Sequence, residues 1–258
     1  MNGNAKMTPL GIAAIVLAIA GLLFAAFAFF VSLPATPSRN AVSFDSPASD
    51  KLETNSEPGL ELVDNPVDFD AEPANYPDMY AWIKVSGTDI DFPIVQHPLD
   101  DSYYLNHNAY GEADDNGAIY TQLCNSKDMQ DPVTVIYGHN MNLSGAMLNQ
   151  LLLFQDRDFF DANEYFEIYM PGRIMRYRII SAYTTDDRHI MNSFDFSNET
   201  IRKQYFDSVL HPHSMIANVR DGASLDENDK IVQISTCTDV FDERYILTGV
   251  LVETELAK

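Results

Sequence analysis

The chain has 258 residues and is strongly acidic, with 38 Asp and Glu residues against 16 Lys and Arg residues and a formal net charge of -22. A surface of this charge repels a phosphate backbone, so the composition excludes nucleic acid as an expected partner. The hydrophobic fraction of 46% is sufficient for a substantial core, and the length fits one large domain with appendages.

An uncharged apolar segment lies near the N-terminus, from Leu10 to Val31. At about 1.5 Å per helical residue, its 22 residues match the roughly 30 Å hydrocarbon core of a bilayer. This length favours an uncleaved anchor over a cleaved signal peptide, although residues 26–28 offer a small-x-small cleavage pattern. We therefore predict a short N-terminal segment over residues 1–9 and a transmembrane helix over residues 10–31.

The next segment, residues 32–74, is rich in proline and in acidic side chains. Seven prolines occur from Pro34 to Pro77, and nine acidic residues from Asp45 to Glu72 are accompanied by one cation, Lys51. Such a composition resists compaction. We predict an extended tether here, followed by a globular domain over residues 75–258.

Short runs of β-forming residues dominate the remainder of the chain. The predicted strands cover residues 80–85, 90–96, 117–120, 133–137, 165–170, 175–184, 230–237 and 245–252. Eight short strands predict a mainly β domain, either a barrel or a sandwich. Two surface helices are predicted between the strands, over about residues 144–154 and 198–210, because each places apolar side chains on one face.

The seventh predicted strand ends at Cys237, one of two cysteines in the chain. Strand alternation places Cys237 on the same face as Gln233 and Ser235, whereas the other face is more aliphatic. After six intervening residues a second apolar run begins at Arg244, and hairpin pairing places Arg244 beside Cys237. A guanidinium favours the reactive thiolate and can hold a developing oxyanion. The alternative is that Arg244 is a solvated charge at the end of a strand.

One of the six histidines, His139, follows a predicted strand directly through Gly138, with Asn140 beside it. A turn at a strand end presents the imidazole ring, and the ordinary pKa of imidazole suits proton transfer. His139 is therefore the candidate proton carrier. A purely structural histidine is the alternative.

The second cysteine, Cys124, leaves a different function open. In an oxidising exterior, Cys124 and Cys237 can form a structural disulfide, and the chain would then be a non-catalytic, membrane-anchored binding module. Two cysteines match no zinc pattern, and the acidic clusters lack the ligand spacing of a calcium loop. We therefore expect no metal and no cofactor.

Taken together, these segments resemble the class B sortases. The segment Tyr137-Gly138-His139-Asn140-Met141 resembles their histidine motif, and Ser235-Thr236-Cys237 with Arg244 resembles their cysteine and arginine motifs, in the same order and spacing. Residues 82–96 are similar to the opening strands of sortases, and the resemblance covers roughly residues 75–254.

Class B, as opposed to class A, is indicated by the long segment between the penultimate strands, residues 190–229, which carries the helix predicted over residues 198–210. Residues 121–125 depart from the expected acidic and aromatic pattern and leave the role of Cys124 undefined. The resemblance implies an eight-stranded sortase-like β-barrel with peripheral helices.

The resemblance also implies a membrane-anchored cysteine transpeptidase. Cys237 would attack the carbonyl carbon of a threonine in the C-terminal sorting motif of a secreted protein, with His139 as proton carrier and Arg244 as oxyanion stabiliser. Ser235, Thr236 and Asn140 are expected to contact the substrate. An amine of a peptidoglycan precursor or of a pilin would then accept the acyl group.

The family resemblance further implies that residues 1–9 are cytoplasmic and that the catalytic domain lies outside the cell membrane, at a Gram-positive-type surface. Two enzymatic alternatives stay open, a pilin-polymerising sortase and a hydrolytic cysteine protease that uses water as the acceptor.

Overall fold

The computed structural model describes residues 62–240 and 242–258. The predicted anchor over residues 10–31 and most of the predicted tether lie outside this range. Within the described residues, no helix combines the length and the apolar character needed to cross a bilayer.

Eleven strands are present in the described part of the chain. They are β1 (Met79–Val85), β2 (Asp91–Val95), β3 (Ile119–Tyr120), β4 (Val133–Tyr137), β5 (Asn140–Met141), β6 (Ala146–Met147), β7 (Tyr165–Met170), β8 (Arg173–Asp186), β9 (Ala217–Val219), β10 (Ile231–Cys237) and β11 (Glu243–Leu256).

Eight of these strands close into a barrel. Their order is β11-β10-β4-β3-β2-β1-β7-β8, and β8 pairs with β11 to complete the ring. The short strand β9 pairs with β8 outside the ring, and β5 and β6 form a separate hairpin. The predicted mainly β fold with an eight-stranded barrel is confirmed.

Three α-helices and three short 3-10 helices accompany the barrel in the described residues. The α-helices are α1 (Arg157–Ala162), α2 (Ile190–Ser193) and α3 (Glu199–Leu210), and the 3-10 helices cover Glu72–Ala74, Tyr103–Leu105 and Asn149–Gln155. Helix α3 agrees with the predicted helix over residues 198–210. It begins where the Asn198 side chain accepts hydrogen bonds from the backbone N–H groups of Thr200 and Ile201.

The helix predicted over residues 144–154 is wrong in its first half. Residues 146–147 form β6, and a 3-10 helix follows only from Asn149. Gly145 and Met147 have positive φ angles of 70° and 57°, which an α-helix cannot contain. The apolar spacing therefore continues across a backbone that turns and pairs as a hairpin.

Two apolar clusters lie on opposite faces of the same strands. The barrel interior contains Val232 and Ile234 of β10, both buried. On the outer face, Ile231 packs in a second cluster with side chains of α3 that include Tyr205 and Val209. The segment that carries α3 is thereby held against the outer face of the barrel.

The C-terminal part of the predicted tether, which the structure describes from residue 62, contacts the barrel. Val63 pairs in parallel with Ala257, and the backbone N–H of Lys258 donates to the Val63 carbonyl at 3.0 Å. The Asn65 side chain donates to the Met170 carbonyl at 2.9 Å. Contacts with the domain thus begin upstream of the predicted boundary at residue 75.

Candidate active site

Cys237, His139 and Arg244 lie at one end of three adjacent strands. Strands β4 and β10 run parallel, with Tyr137 opposite Ser235, so the chain leaves both strands at the same edge of the sheet. Cys237 ends β10, and His139 follows β4 by two residues. Since β11 is antiparallel to β10, Arg244 lies directly opposite Cys237. All three residues line one cleft of about 220 Å³.

The thiol of Cys237 is free and half-buried. Because side chains alternate along a strand, Cys237 shares the outer face of the barrel with Ile231, Gln233 and Ser235, while Val232 and Ile234 fill the interior. The partial exposure of Cys237 and its place in a cleft suit a thiol that must meet a substrate.

Arg244 is also half-buried, and its guanidinium donates to the backbone carbonyl of Glu243 at 3.1 Å. Its other N–H groups form no hydrogen bond within residues 62–240 and 242–258. Strand β11 lies between β10 and β8, with Thr185 of β8 opposite Arg244 on the side away from Cys237. The geometry leaves a cation with unused donors next to a thiol.

The ring of His139 is fixed by a hydrogen bond to the backbone. Its Nε2 lies 2.8 Å from the carbonyl oxygen of Leu105, which ends a 3-10 helix in the long connection between β2 and β3. A carbonyl can only accept, so Nε2 carries the proton. In the neutral ring, the lone pair therefore lies on Nδ1.

A polar network behind the cleft joins the ends of β4 and β10. The Thr236 hydroxyl donates to the Gly138 carbonyl at 2.8 Å, and the Asn140 side chain donates to the Cys237 carbonyl at 3.0 Å. Thr236 and Asn140 were both predicted to contact the substrate. In the structure, these side chains donate their hydrogen bonds to backbone carbonyls of the protein. Ser235, the third predicted contact, is buried but lines the cleft.

Asn149 supports this network from the adjoining 3-10 helix. Its side-chain N–H₂ donates to the side-chain oxygens of Asn140 at 2.7 Å and Asn142 at 3.0 Å. Asn142 in turn donates to the carboxylate of Asp239, in the connection between β10 and β11. The β5–β6 hairpin is therefore tied to Cys237 and to the connection that follows it.

The same cleft is also lined by residues that were not predicted as site residues. Nε2 of His189 lies 2.6 Å from the side-chain oxygen of Gln122, and this bond joins two connections that are distant in sequence. Next to it, the rings of Tyr120 and Tyr137 lie 5.6 Å apart, and the Tyr137 hydroxyl is buried without a partner in the described structure. Burial, together with the Asp101 carboxylate, raises the pKa of Tyr120 to about 12, so Tyr120 stays neutral at physiological pH.

Cys124 is a free thiol as well, so the disulfide required by the binding-module alternative is not formed. It lines a different cleft, of about 860 Å³, together with Met191 and Phe194. Although Cys124 is exposed, desolvation of its thiol and the Asp101 carboxylate raise the pKa of the thiol, which disfavours its thiolate. Of the two thiols, Cys237 is therefore the candidate nucleophile.

In the described part of the chain, no three His, Cys, Asp or Glu side chains converge as a metal site would require.

No family model matches the chain. Among characterised proteins, sortase B of Listeria monocytogenes is 30% identical over 178 residues, which cover 68% of this chain and 70% of the relative. Among solved structures, Clostridium perfringens sortase B is 32% identical with a TM-score of 0.63, and the match covers 70% of this chain and 97% of that one. A Streptococcus pyogenes class B sortase involved in pilus biogenesis is 25% identical with a TM-score of 0.61, over 72% of this chain and 98% of that one.

Proposed function

Because this chain belongs to the class B sortase family of transpeptidases, we propose that it cleaves a sorting motif through a thioacyl intermediate on Cys237 and transfers the acyl group to an amine. The observation that carries this proposal is the convergence of Cys237, His139 and Arg244 on one cleft at the end of β4, β10 and β11. A nucleophile, a proton carrier and an oxyanion donor are the three groups that acyl transfer requires.

In the first half of the reaction, the Cys237 thiolate forms a bond from Sγ to the carbonyl carbon of a threonine in the substrate. The tetrahedral oxyanion is held by the Arg244 guanidinium, which lies across the hairpin from Cys237. As the peptide C–N bond breaks, protonated His139 gives its proton to the departing amine. A thioester between the substrate and Cys237 remains.

In the second half, an incoming amine attacks the thioester and loses a proton to His139. The C–S bond breaks, Cys237 leaves as a thiolate, and a new amide joins the substrate to the acceptor. Each step uses the same three residues, and the protonation of His139 and Cys237 at the end equals that at the start.

The substrates are secreted proteins that carry a sorting motif near the C-terminus, and the acceptor is an amine of the cell wall. The apolar segment over residues 10–31 anchors the chain in the cell membrane, with residues 1–9 in the cytoplasm and the catalytic domain outside. Protease treatment of intact cells tests this orientation, because an external domain loses a C-terminal tag and a cytoplasmic one retains it.

A pilin lysine is the second candidate acceptor. The observation that favours it is the similarity to the Streptococcus pyogenes class B sortase, which is described as involved in pilus biogenesis. The two acceptors differ in the amine that enters the cleft, so a direct competition between them distinguishes wall anchoring from pilin polymerisation.

The test uses the full chain in detergent with a panel of threonine-containing sorting peptides. Each peptide is incubated with a wall-type peptide amine, with a lysine ε-amine peptide, and without an amine, and the products are identified by mass spectrometry. We expect an amide-linked product with the wall-type amine. If the peptides are hydrolysed to the same extent with and without an amine, the chain is a protease. If every peptide in the panel stays intact, the proposal is contradicted.

A further inference from the structure

Gly117 lies against the ring of His139, the proposed proton carrier, and against the Leu105 carbonyl that holds this ring. It precedes β3 and has a positive φ of 63°. A Cβ atom at this position would lie 3.0 Å from Cδ2 of His139, 3.0 Å from the Leu105 carbonyl oxygen and 2.6 Å from the Tyr104 carbonyl oxygen. Carbonyl oxygens belong to the backbone and cannot swing away as the end of a side chain can. Any side chain at Gly117 therefore displaces the segment that contacts His139.

The turn around Gly117 also fixes where the Leu105 carbonyl points. The backbone N–H of Ala118 donates to the Tyr104 carbonyl at 3.0 Å, one residue before Leu105. The N–H of Gly117 donates to the Asp114 carbonyl, also at 3.0 Å. Both ends of the 104–118 loop are thus joined directly beside the 2.8 Å contact between Leu105 and Nε2 of His139.

We propose that Gly117 is a positioning residue for the transfer reaction: its missing side chain allows the Leu105 carbonyl to hold Nε2–H of His139, which leaves Nδ1 as the nitrogen that exchanges protons with the substrate amine. This inference rests on the proposed role of His139 as the proton carrier. Within the described residues, Nδ1 of His139 has no hydrogen-bond partner. Its lone pair is therefore available to exchange a proton with the substrate amine. The tautomer is therefore set by a backbone contact and not by a carboxylate.

The simpler interpretation of Gly117 is that only the turn needs a glycine. Gly111, in the same loop, separates the two interpretations because it also has a positive φ, 82°. A Cβ at Gly111 would meet only the Tyr103 hydroxyl, at an ordinary 3.8 Å. Alanine at either position carries the backbone cost of a positive φ. Only alanine at Gly117 also disturbs the contact between Leu105 and His139.

The first experiment measures the tautomer of His139 in the unmodified chain. The full chain, labelled with ¹⁵N-histidine and held in detergent, is studied by long-range ¹H–¹⁵N correlation well above the ordinary imidazole pKa. The ring of His139 is assigned from the signal lost in His139→Gln. We expect the Nε2–H tautomer to predominate, and in Gly117→Ala we expect a mixture of the two tautomers.

The second experiment compares the turnover of Gly117→Ala and Gly111→Ala across pH. Because a displacement of about 1 Å can cost about 100-fold in rate, we expect kcat of Gly117→Ala to fall about 100-fold, with KM changed less than about 3-fold and the pH profile shifted. Gly111→Ala should stay within about 3-fold of the unmodified enzyme, with an unchanged profile.

Two results would overturn the inference. One is a predominant Nδ1–H tautomer in the unmodified chain, which needs no variant to fold and no activity to be detected. The other is equal loss of turnover in Gly117→Ala and Gly111→Ala, which would assign both glycines to the loop conformation alone. If the chain transfers no acyl group, the proposed function fails while the tautomer measurement still decides the role of Gly117.

Discussion

Replacing Asn149 by alanine should lower the rate of acyl transfer by more than the accompanying loss in unfolding free energy explains. The change removes the hydrogen bonds of 2.7 Å and 3.0 Å to Asn140 and Asn142. Asn140 donates to the Cys237 carbonyl, so the end of β10 loses its support. At about 0.5–1 kcal/mol for each hydrogen bond of a half-exposed group, the free energy of unfolding should fall by about 1–2 kcal/mol.

The neighbouring Gln150 provides a matched control. It also makes two side-chain hydrogen bonds, of 2.8 Å and 2.9 Å, but both are to Asp89 in the turn between β1 and β2. Gln150→Ala should therefore lose a similar free energy of unfolding. Since Asp89 is not among the residues that line the cleft, its kcat should stay within about 2-fold, whereas kcat of Asn149→Ala should fall about 10-fold through misplacement of Cys237.

The assay combines denaturant unfolding with steady-state transfer from a threonine peptide to an amine. Both variants should show an unchanged m-value with a lower midpoint, because the surface exposed on unfolding is the same. Equal transfer rates for Asn149→Ala and Gln150→Ala would refute the reasoning, since the asparagine network would then serve stability alone.

Three further outcomes are expected. Gly249→Ala should cost about 1–3 kcal/mol in unfolding free energy, measured by thermal denaturation, because a Cβ there overlaps the Phe166 ring in the barrel interior. Arg244→Lys should lower kcat by about 100- to 1000-fold in a peptide transfer assay, because an ammonium lacks the planar donors of a guanidinium. The Arg188 guanidinium lowers the pKa of Asp186. The difference in unfolding free energy between the unmodified chain and Asp186→Asn, which is small for this exposed pair, should therefore be present at neutral pH and close as the pH falls through that lowered pKa.

The strands of the barrel could be predicted because most of them are short runs of β-forming residues, and the turns between them are marked by glycine and polar residues. β4 and β7 were predicted at their observed bounds. β8 and β11 extend further than predicted, since they pair with each other from Asp186 and Glu243 to Arg173 and Leu256. That pairing joins segments about seventy residues apart, which no local pattern indicates.

The helix over residues 198–210 could be predicted because it has a capping asparagine and an apolar face. The sequence could not exclude the helix expected over residues 144–154, because Leu148 and Leu151 have helical spacing. Both side chains are buried, but from a turn and a 3-10 helix. Apolar spacing records which side chains are buried and does not fix the φ of Met147.

The pairing of Cys237 with Arg244 follows from the hairpin spacing alone, and the structure places the two residues opposite each other. The approach of His139 depends on the parallel pairing of β4 with β10, between segments about a hundred residues apart. The contact between Gln122 and His189 has no signal in the sequence, because each residue lies in an irregular connection. Such contacts exist only once the barrel has closed.

The most direct measurement of the central claim is the intact mass of the full chain after reaction with a threonine sorting peptide in the absence of an amine. Three proteins are compared under reducing conditions: the unmodified chain, Cys237→Ala and Cys124→Ala. Thioacylation of Cys237 predicts an acyl adduct in the unmodified chain and in Cys124→Ala, and none in Cys237→Ala. An adduct that persists in Cys237→Ala and disappears in Cys124→Ala would contradict the account.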